Sequence, residues 1–278
     1  MVATEDGPKL DPSDGLPAMP VGAWARDKHK LLADYIQIAH GVRKGFVGRA
    51  GATLIDLYCG AGRAYIRGTA EFIDGSPLVA WKAAQKHGSP FSEVHLNDQD
   101  ALLVRAAEHR LREAGAPVTA YQEPAEDVAR KLATSLNPYG LHFAFVDPFG
   151  LMLPFELIQS LSALKRMDML IHVSAMDLQR NWGSYSASAN SPLDTFNPGW
   201  RSRVHLAQSD ESARVAFIHD WVEQLRTLGF EGDVRFELIT GRKNQPLYWL
   251  VLIAKHELAM KFWRVATQLG KTAGLFDF

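Results

Sequence analysis

The stretch Leu54–Arg63, LIDLYCGAGR, limits what this chain can fold into more than any other. Thr53, Leu54 and Ile55 run into an acid, Asp56, and after Leu57, Tyr58 and Cys59 come Gly60 and Gly62. That order reads as a buried strand ending in a tight glycine turn. Glycine suits the turn because no Cβ blocks close approach of the backbone to a ligand, and because some turn angles are open only to it. Position 65, where a third glycine would complete the dinucleotide fingerprint, is Tyr65.

The flanking chain supplies the setting. Glu93–Asn97, Val118–Tyr121, Leu141–Val146 and Met167–Ser174 read as further short apolar strands, separated by helical patterns over Ser76–Lys86, Ala101–Ala114, Ala125–Leu136 and Glu156–Leu164. Strands alternating with helices mark a parallel sheet covered on both faces. A helix over Glu211–Leu228 follows, then strands Val234–Thr240 and Leu247–Ala254 flanking GRKNQP as a hairpin, with Arg242 and Lys243 at its tip. Helix Glu257–Leu269 and a short aromatic tail close the chain. The expected fold is therefore α/β and Rossmann-like: a seven-stranded, mostly parallel sheet with helices on both faces and one antiparallel strand.

Ahead of the first strand, apolar residues recur at helical spacing from Trp24 to Phe46, with basic residues on what reads as a solvated face. Residues 1–22, rich in proline and acids, read as a mobile lead-in. At 278 residues and 47% hydrophobic, the remainder, 23–278, suits one large domain. It carries an insertion at 63–75 and a long loop at 177–204, where Ser, Asn, Pro and Gly replace helical periodicity. The composition and the lack of a long apolar run suggest a cytoplasmic protein. One cysteine, Cys59, excludes an internal disulfide or a cysteine-only metal cluster, and reads as a small buried residue beneath the turn. No metal-ligating histidine pair, nucleophile elbow or Walker loop occurs, and a net charge of -1 gives no global attraction to nucleic acid.

Open α/β sheets hold ligands at the carboxyl ends of their strands, where Asp56, Asp98 and Asp147 fall. Asp98 lies 36 residues beyond Gly62, too far for the ribose acid of a dinucleotide site, which stands about 20 residues on. S-adenosylmethionine fits better: it has no pyrophosphate to cradle, and its amino group and ribose hydroxyls are donors that call for carboxylates. Asp98 is either such an acceptor or a turn acid. Glu123, past the third strand, either accepts from the adenine amino group or is a solvated loop acid. The cofactor set is thus Asp56, Tyr58, Gly60, Gly62, Asp98, Glu123 and Asp147.

Asp147-Pro148-Phe149-Gly150 is similar to the strand-end motif of methyltransferases acting on amino groups, an acid or amide followed by Pro, Pro and an aromatic. The resemblance implies that Asp147 orients a nucleophilic amine, with Pro148 and Phe149 beside it, largely by alignment. Phe149 and Gly150 depart from the motif's third and fourth places.

Most of the chain resembles the three-Cys-motif partner proteins (TcmP), through WARDKHKLLADYI from Trp24, the glycine turn, GTAEFIDGSPLVA from Gly68, VDPFG, and Arg180-Asn181. The resemblance implies a methyltransferase-like Rossmann domain in a bacterial or phage setting, beside a radical-SAM-like protein carrying the three-cysteine motif. Glu71, Asp74 and Ser76 match the family's insertion; they either line the substrate side or pin their own loop. Arg180, Asn181 and Trp182 either contact a base or phosphate, or form a helix start with Trp182 in the core. Three functions stay open: a methyltransferase acting on an amino or ring nitrogen of nucleic acid, a catalytically weak or inactive cofactor-binding partner, and, for contrast, an NAD-dependent oxidoreductase.

Overall fold

A computed structural model describes residues 7–206, 209–230, 234–241 and 243–273; residues 1–6 of the expected lead-in, Arg242 and the aromatic tail lie outside them. The chain opens with β1 (Lys9–Leu10) and β2 (Pro17–Val21), then α1 (Ala25–Ile38) and α2 (His40–Val47), β3 (Ala52–Asp56), β4 (Arg63–Ile66), β5 (Phe72–Asp74) and α3 (Ser76–Gln85). It continues through β6 (Glu93–Asn97), α4 (Ala101–Glu113), β7 (Val118–Tyr121), α5 (Ala125–Ser135), β8 (Leu141–Val146), α6 (Phe155–Leu161) and β9 (Met167–Val173). The last third holds α7 (Ala175–Ala187), α8 (Pro192–Phe196), a 3-10 turn at Trp200–Ser202, α9 (Asp210–Thr227), β10 (Arg235–Thr240), β11 (Pro246–Ala254) and α10 (Glu257–Ala273).

The main sheet has seven strands, as expected, and their order is β10-β11-β9-β8-β3-β6-β7. Strands β7, β6, β3, β8 and β9 are mutually parallel, and β11 runs antiparallel between β9 and β10. Each strand alternates between two cores. Ile55, Val146 and Ile171 pack with α5 to α9, while Leu54, Phe145, Leu170 and Leu252 pack with α1, α3 and α10. At ~25 cal/mol per Å² of apolar surface, these two layers are the main source of stability.

Three expectations change. The helix read as continuous from Trp24 breaks at Ala39, whose ψ of 2° leaves the helical region. Residues 7–22 are a strap rather than a mobile lead-in: β1 and β2 join β4 and β5 of the insertion in a second, four-stranded sheet. Its acids explain this, because Asp11 accepts from Arg63 and Asp14 accepts from Nε and Nη2 of Arg110. The loop expected at 177–204 is mostly helical. Its scattered aromatics, Trp182, Phe196 and Trp200, pack edge-on or tilted against Phe217 and Trp221 of α9. A capping box of Ser191 and Asp194 starts α8, with Pro192 in its first turn.

Candidate functional site

The glycine turn is built from backbone. Gly60 and Gly62 take φ of 54° and 73°, the left-handed region that favours glycine. A Cβ on Gly62 would stand 3.1 Å from the Ala107 backbone, so the close approach it allows is to α4; at Gly60 the nearest atom is Met19 Cγ at 3.9 Å. The Gly60 amide donates to Asp98 Oδ2 at 3.0 Å, and the Asp100 amide to Asp98 Oδ1 at 2.9 Å. Asp100 itself caps α4. Asn97, which the sequence did not single out, knits three strand tips: its side chain donates to Leu57 O and accepts from the Glu123 amide, and its carbonyl accepts from Cys59 N.

Asp56 is buried beside this turn and accepts from the Ser76 hydroxyl at 2.7 Å and the Tyr58 amide at 3.3 Å. Burial pushes its carboxyl up to about 7, with Ser76 opposing and Asp147 adding to the rise. Gly75 stands at the N-cap of α3, and the Ser76 hydroxyl turns inward to Asp56. Tyr58 is partly buried, packed against the α5–α9 core. Cys59 is buried, and its thiol is pushed up by burial, as suits a packing residue.

The second half of the site is built from side chains. Phe145, Leu170 and Leu252 are in register on three adjacent strands and pack in the α1 core; one same-face step toward the tips come Asp147, His172 and Leu250, and one step further along antiparallel β11 comes Tyr248. Lys28 of α1 forms an ion pair with Asp147 Oδ2, while His172 Nδ1 lies 3.3 Å from Asp147 Oδ1. The His172 and Tyr248 rings are 4.4 Å apart, and the Tyr248 hydroxyl donates to Trp24 O at 3.1 Å, fixing the start of α1. Burial alone would raise Asp147, but Lys28, with His172 and His29 adding, holds the carboxyl below the usual range. Burial, with Lys28 adding, lowers His29 and His172 to about 4, so both imidazoles are neutral at physiological pH. Asp147 was legible in the sequence; Lys28, His29, His172 and Tyr248 were not, because they come together only through sheet register and helix packing.

The remaining candidates divide. Pro148 is buried, whereas the Phe149 side chain is 89% exposed beside Asp147. Gly150, at φ 60°, turns the chain so that the Leu151 amide donates to Asp177 Oδ2 at 2.9 Å. Asn181 also donates to Asp177, so it braces this loop, while Arg180 is exposed and Trp182 is core. Glu71 pairs with Arg26, and Asp74 with Arg63 at 3.0 Å and Lys82 at 2.7 Å; both carboxylates pin the insertion. Glu123 pairs with Lys131 of α5. An apolar cavity of about 560 Å³, lined by Leu178, Val215, Ile218, Val222, Phe236 and Trp249, opens on the α7–α9 side, away from the glycine turn.

No family model and no curated protein matches the sequence. Among solved structures, protein LPL1258 from Legionella pneumophila superposes with a TM-score of 0.56 at 11% identity, over 90% of this chain and 92% of that one, and shares its fold. Cofactor-bound Rv0187 from MTB aligns at TM-score 0.46 and 20% identity, over 86% of this chain and 83% of that one. The O-methyltransferase TomG from Streptomyces achromogenes, in complex with SAM, aligns at 0.45 and 18%, over 83% and 80%.

Proposed function

We propose that this chain is an S-adenosylmethionine-dependent methyltransferase acting on an amino or ring nitrogen of nucleic acid. The observation that carries the reading is the bond from the Gly60 amide to Asp98, which joins the tips of β3 and β6 and sets an acid beside an open glycine turn. Each Asp98 oxygen accepts one backbone N–H, and a carboxylate oxygen has capacity for a second donor such as a ribose hydroxyl. The donor set of S-adenosylmethionine fits that acid; Asp56, enclosed by Ser76 and Tyr58, shapes the turn from beneath. When bound, the cofactor supplies an electrophilic methyl group. The chain's own part is to orient the nucleophile at Asp147, exclude water beneath α1 and the strap, and offer Phe149 as an exposed ring beside the acid.

One observation favours a second reading. Lys28 already holds Asp147, and a chain whose strand-end acid is occupied in this way would keep its cofactor site yet serve as partner to a three-Cys-motif, radical-SAM-like protein. No helix among the described residues is long and apolar enough to cross a membrane. Calorimetry with S-adenosylhomocysteine tests both readings: binding is expected, and its absence would end them. Methyl transfer to total RNA and DNA, with and without the partner, then separates them. Transfer by the chain alone supports the first reading, and transfer by neither preparation supports the second.

A further inference from the structure

Helix α9 is apolar on two sides. Ala213, Phe217, Trp221 and Leu225 are buried in the core. Val215, Ile218 and Val222 recur at three- and four-residue spacing as a second stripe, and Val215 is 54% exposed. That stripe is one wall of the cavity of about 560 Å³; Leu178 of α7, Phe236 of β10 and Trp249 of β11 supply further apolar surface. The sheet edge explains the opening. On its other face α10 covers β11, with Trp263 in the same core as Leu250 and Leu252, whereas on this face Phe236 and Trp249, set edge to face at 6.0 Å, stay half-buried. A contiguous apolar groove at a sheet edge marks a surface that a partner covers.

The charges beside the stripe say which partner. Glu211, Arg214, Glu223 and Arg226 of α9 line the same groove. About a point midway between Ile218 and His219, the helix is its own complement when reversed. Glu211 and Arg226 stand equally far from that point on opposite sides, as do Arg214 and Glu223, and Val215 and Val222. Antiparallel packing of α9 on the same helix of a second copy therefore sets each acid against a base and each valine against a valine, around a two-fold axis. The same charges fix the register: a slip of three residues opposes Arg214 to Arg226 in one direction and Glu211 to Glu223 in the other. Glu223 and Arg226 also pair along their own helix, an exposed contact that a facing helix can share.

We propose that the α9 groove is a two-fold interface for a second copy of this chain, with α9 of each protomer seated in the groove of the other. Each helix then lies over Phe236 and Trp249 of the facing protomer and closes the sheet edge as α10 does on the opposite face. This goes beyond the methyltransferase reading and does not depend on it.

Sedimentation equilibrium of the full chain tests the pairing. The wild type is expected to be a dimer at about 100 μM and to dissociate on dilution. Arg214→Glu meets Glu223 twice across the axis, and Glu223→Arg meets Arg214 twice, so each variant alone should dimerise about tenfold more weakly. An equimolar mixture of the two should regain the wild-type affinity, because both contacts of the mixed dimer are again acid to base. The outer contact gives an independent pair, Glu211→Arg with Arg226→Glu, for which the same weakening and the same recovery are expected. Circular dichroism matching the wild type shows that each variant is folded. A wild type that stays monomeric at that concentration overturns the proposal and leaves the groove to a partner other than a second copy. Folded variants that dimerise as tightly as the wild type, or mixtures that gain nothing over their members, overturn it as well.

Discussion

The two halves of the strand-tip face satisfy their carboxylates in opposite ways. At the β3–β6 tips, Asp98 accepts from the amides of Gly60 and Asp100, and Asp56 accepts from the Tyr58 amide and the neighbouring Ser76 hydroxyl. Those donors arrive with the local fold and cannot leave without unfolding it. At the β8–β9–β11 tips, Asp147 is held by the ammonium of Lys28 from a separate helix, beside an imidazole and a phenol from two other strands. A lysine side chain can swing away and exchange its partner; a turn amide cannot. The backbone half is thus suited to binding one fixed ligand, and the side-chain half to a group that enters, reacts and departs.

The largest expected effect strikes the backbone half through its anchor. Arg110 of α4 is buried and donates to Asp14, to the carbonyls of Leu16 and Pro17 in the strap, and to Ala61 O inside the glycine turn. Arg110→Met strands the Asp14 carboxylate and three carbonyls, so unfolding by urea should show a loss of ~3–5 kcal/mol. A loss under ~1 kcal/mol would mean that the strap does not secure the turn.

Next in size is an opposition between two acids. Asp56, raised to about 7 chiefly by burial, stays protonated in the folded chain while its unfolded counterpart ionises near 3.8. The folded state then binds more protons, so this group's contribution is full below about pH 4, falls as pH rises to about 7, and is flat above. The decline is capped at ~4 kcal/mol for a shift of about three units. Asp147 behaves the other way: its folded value lies below 3.8, so its contribution is full above that and is lost as pH falls through the folded value. Stability curves from pH 3 to 8 check the signs. Asp56→Asn should flatten the decline, and Asp147→Asn should lower stability at pH 7 by leaving Lys28 without its partner.

Ligand binding should split the halves by about a hundredfold. Asp98→Asn is expected to weaken S-adenosylhomocysteine at least that much, whereas Asp147→Asn should leave its affinity within about threefold and abolish methyl transfer. Equal losses of affinity in the two variants would erase the division of labour.

The same contrast governs what the sequence discloses. The strand, its terminal acid and two glycines announce the turn because they lie within ten residues, and the five parallel strands appear near the expected bounds because apolar runs between turn residues are local signals. Lys28, Asp147, His172 and Tyr248 span most of the chain and carry no common spacing, so only register across β8, β9 and β11 assembles them. Misreadings share one cause. Residues 7–22 and 177–204 look unstructured because their order rests on remote partners: Arg110 for the first, Phe217 and Trp221 for the second. Glu71, Asp74 and Glu123 stay open between ligand and structural roles in the sequence because their basic partners Arg26, Arg63 and Lys131 stand at no fixed spacing from them.

The smallest effect separates the halves by geometry alone. Gly150 follows Phe149 with φ of 60°, and a Cβ there would meet Asp177 Oδ2 at 2.6 Å, the oxygen that receives the Leu151 amide. Gly150→Ala imposes left-handed strain of ~1 kcal/mol and displaces a carboxylate that also holds Asn181, so a total loss of ~1–2 kcal/mol is expected. The disturbance falls on the loop that carries Asp147 and Phe149 and leaves the Gly60–Asp98 bond untouched. Thermal unfolding should drop by a few degrees, ~2–4 °C per kcal/mol for a chain of this size, methyl transfer should fall, and S-adenosylhomocysteine affinity should hold. A matching fall in that affinity would show that the loop after β8 and the glycine turn move as one body, and the contrast between a fixed half and an exchangeable half would then fail.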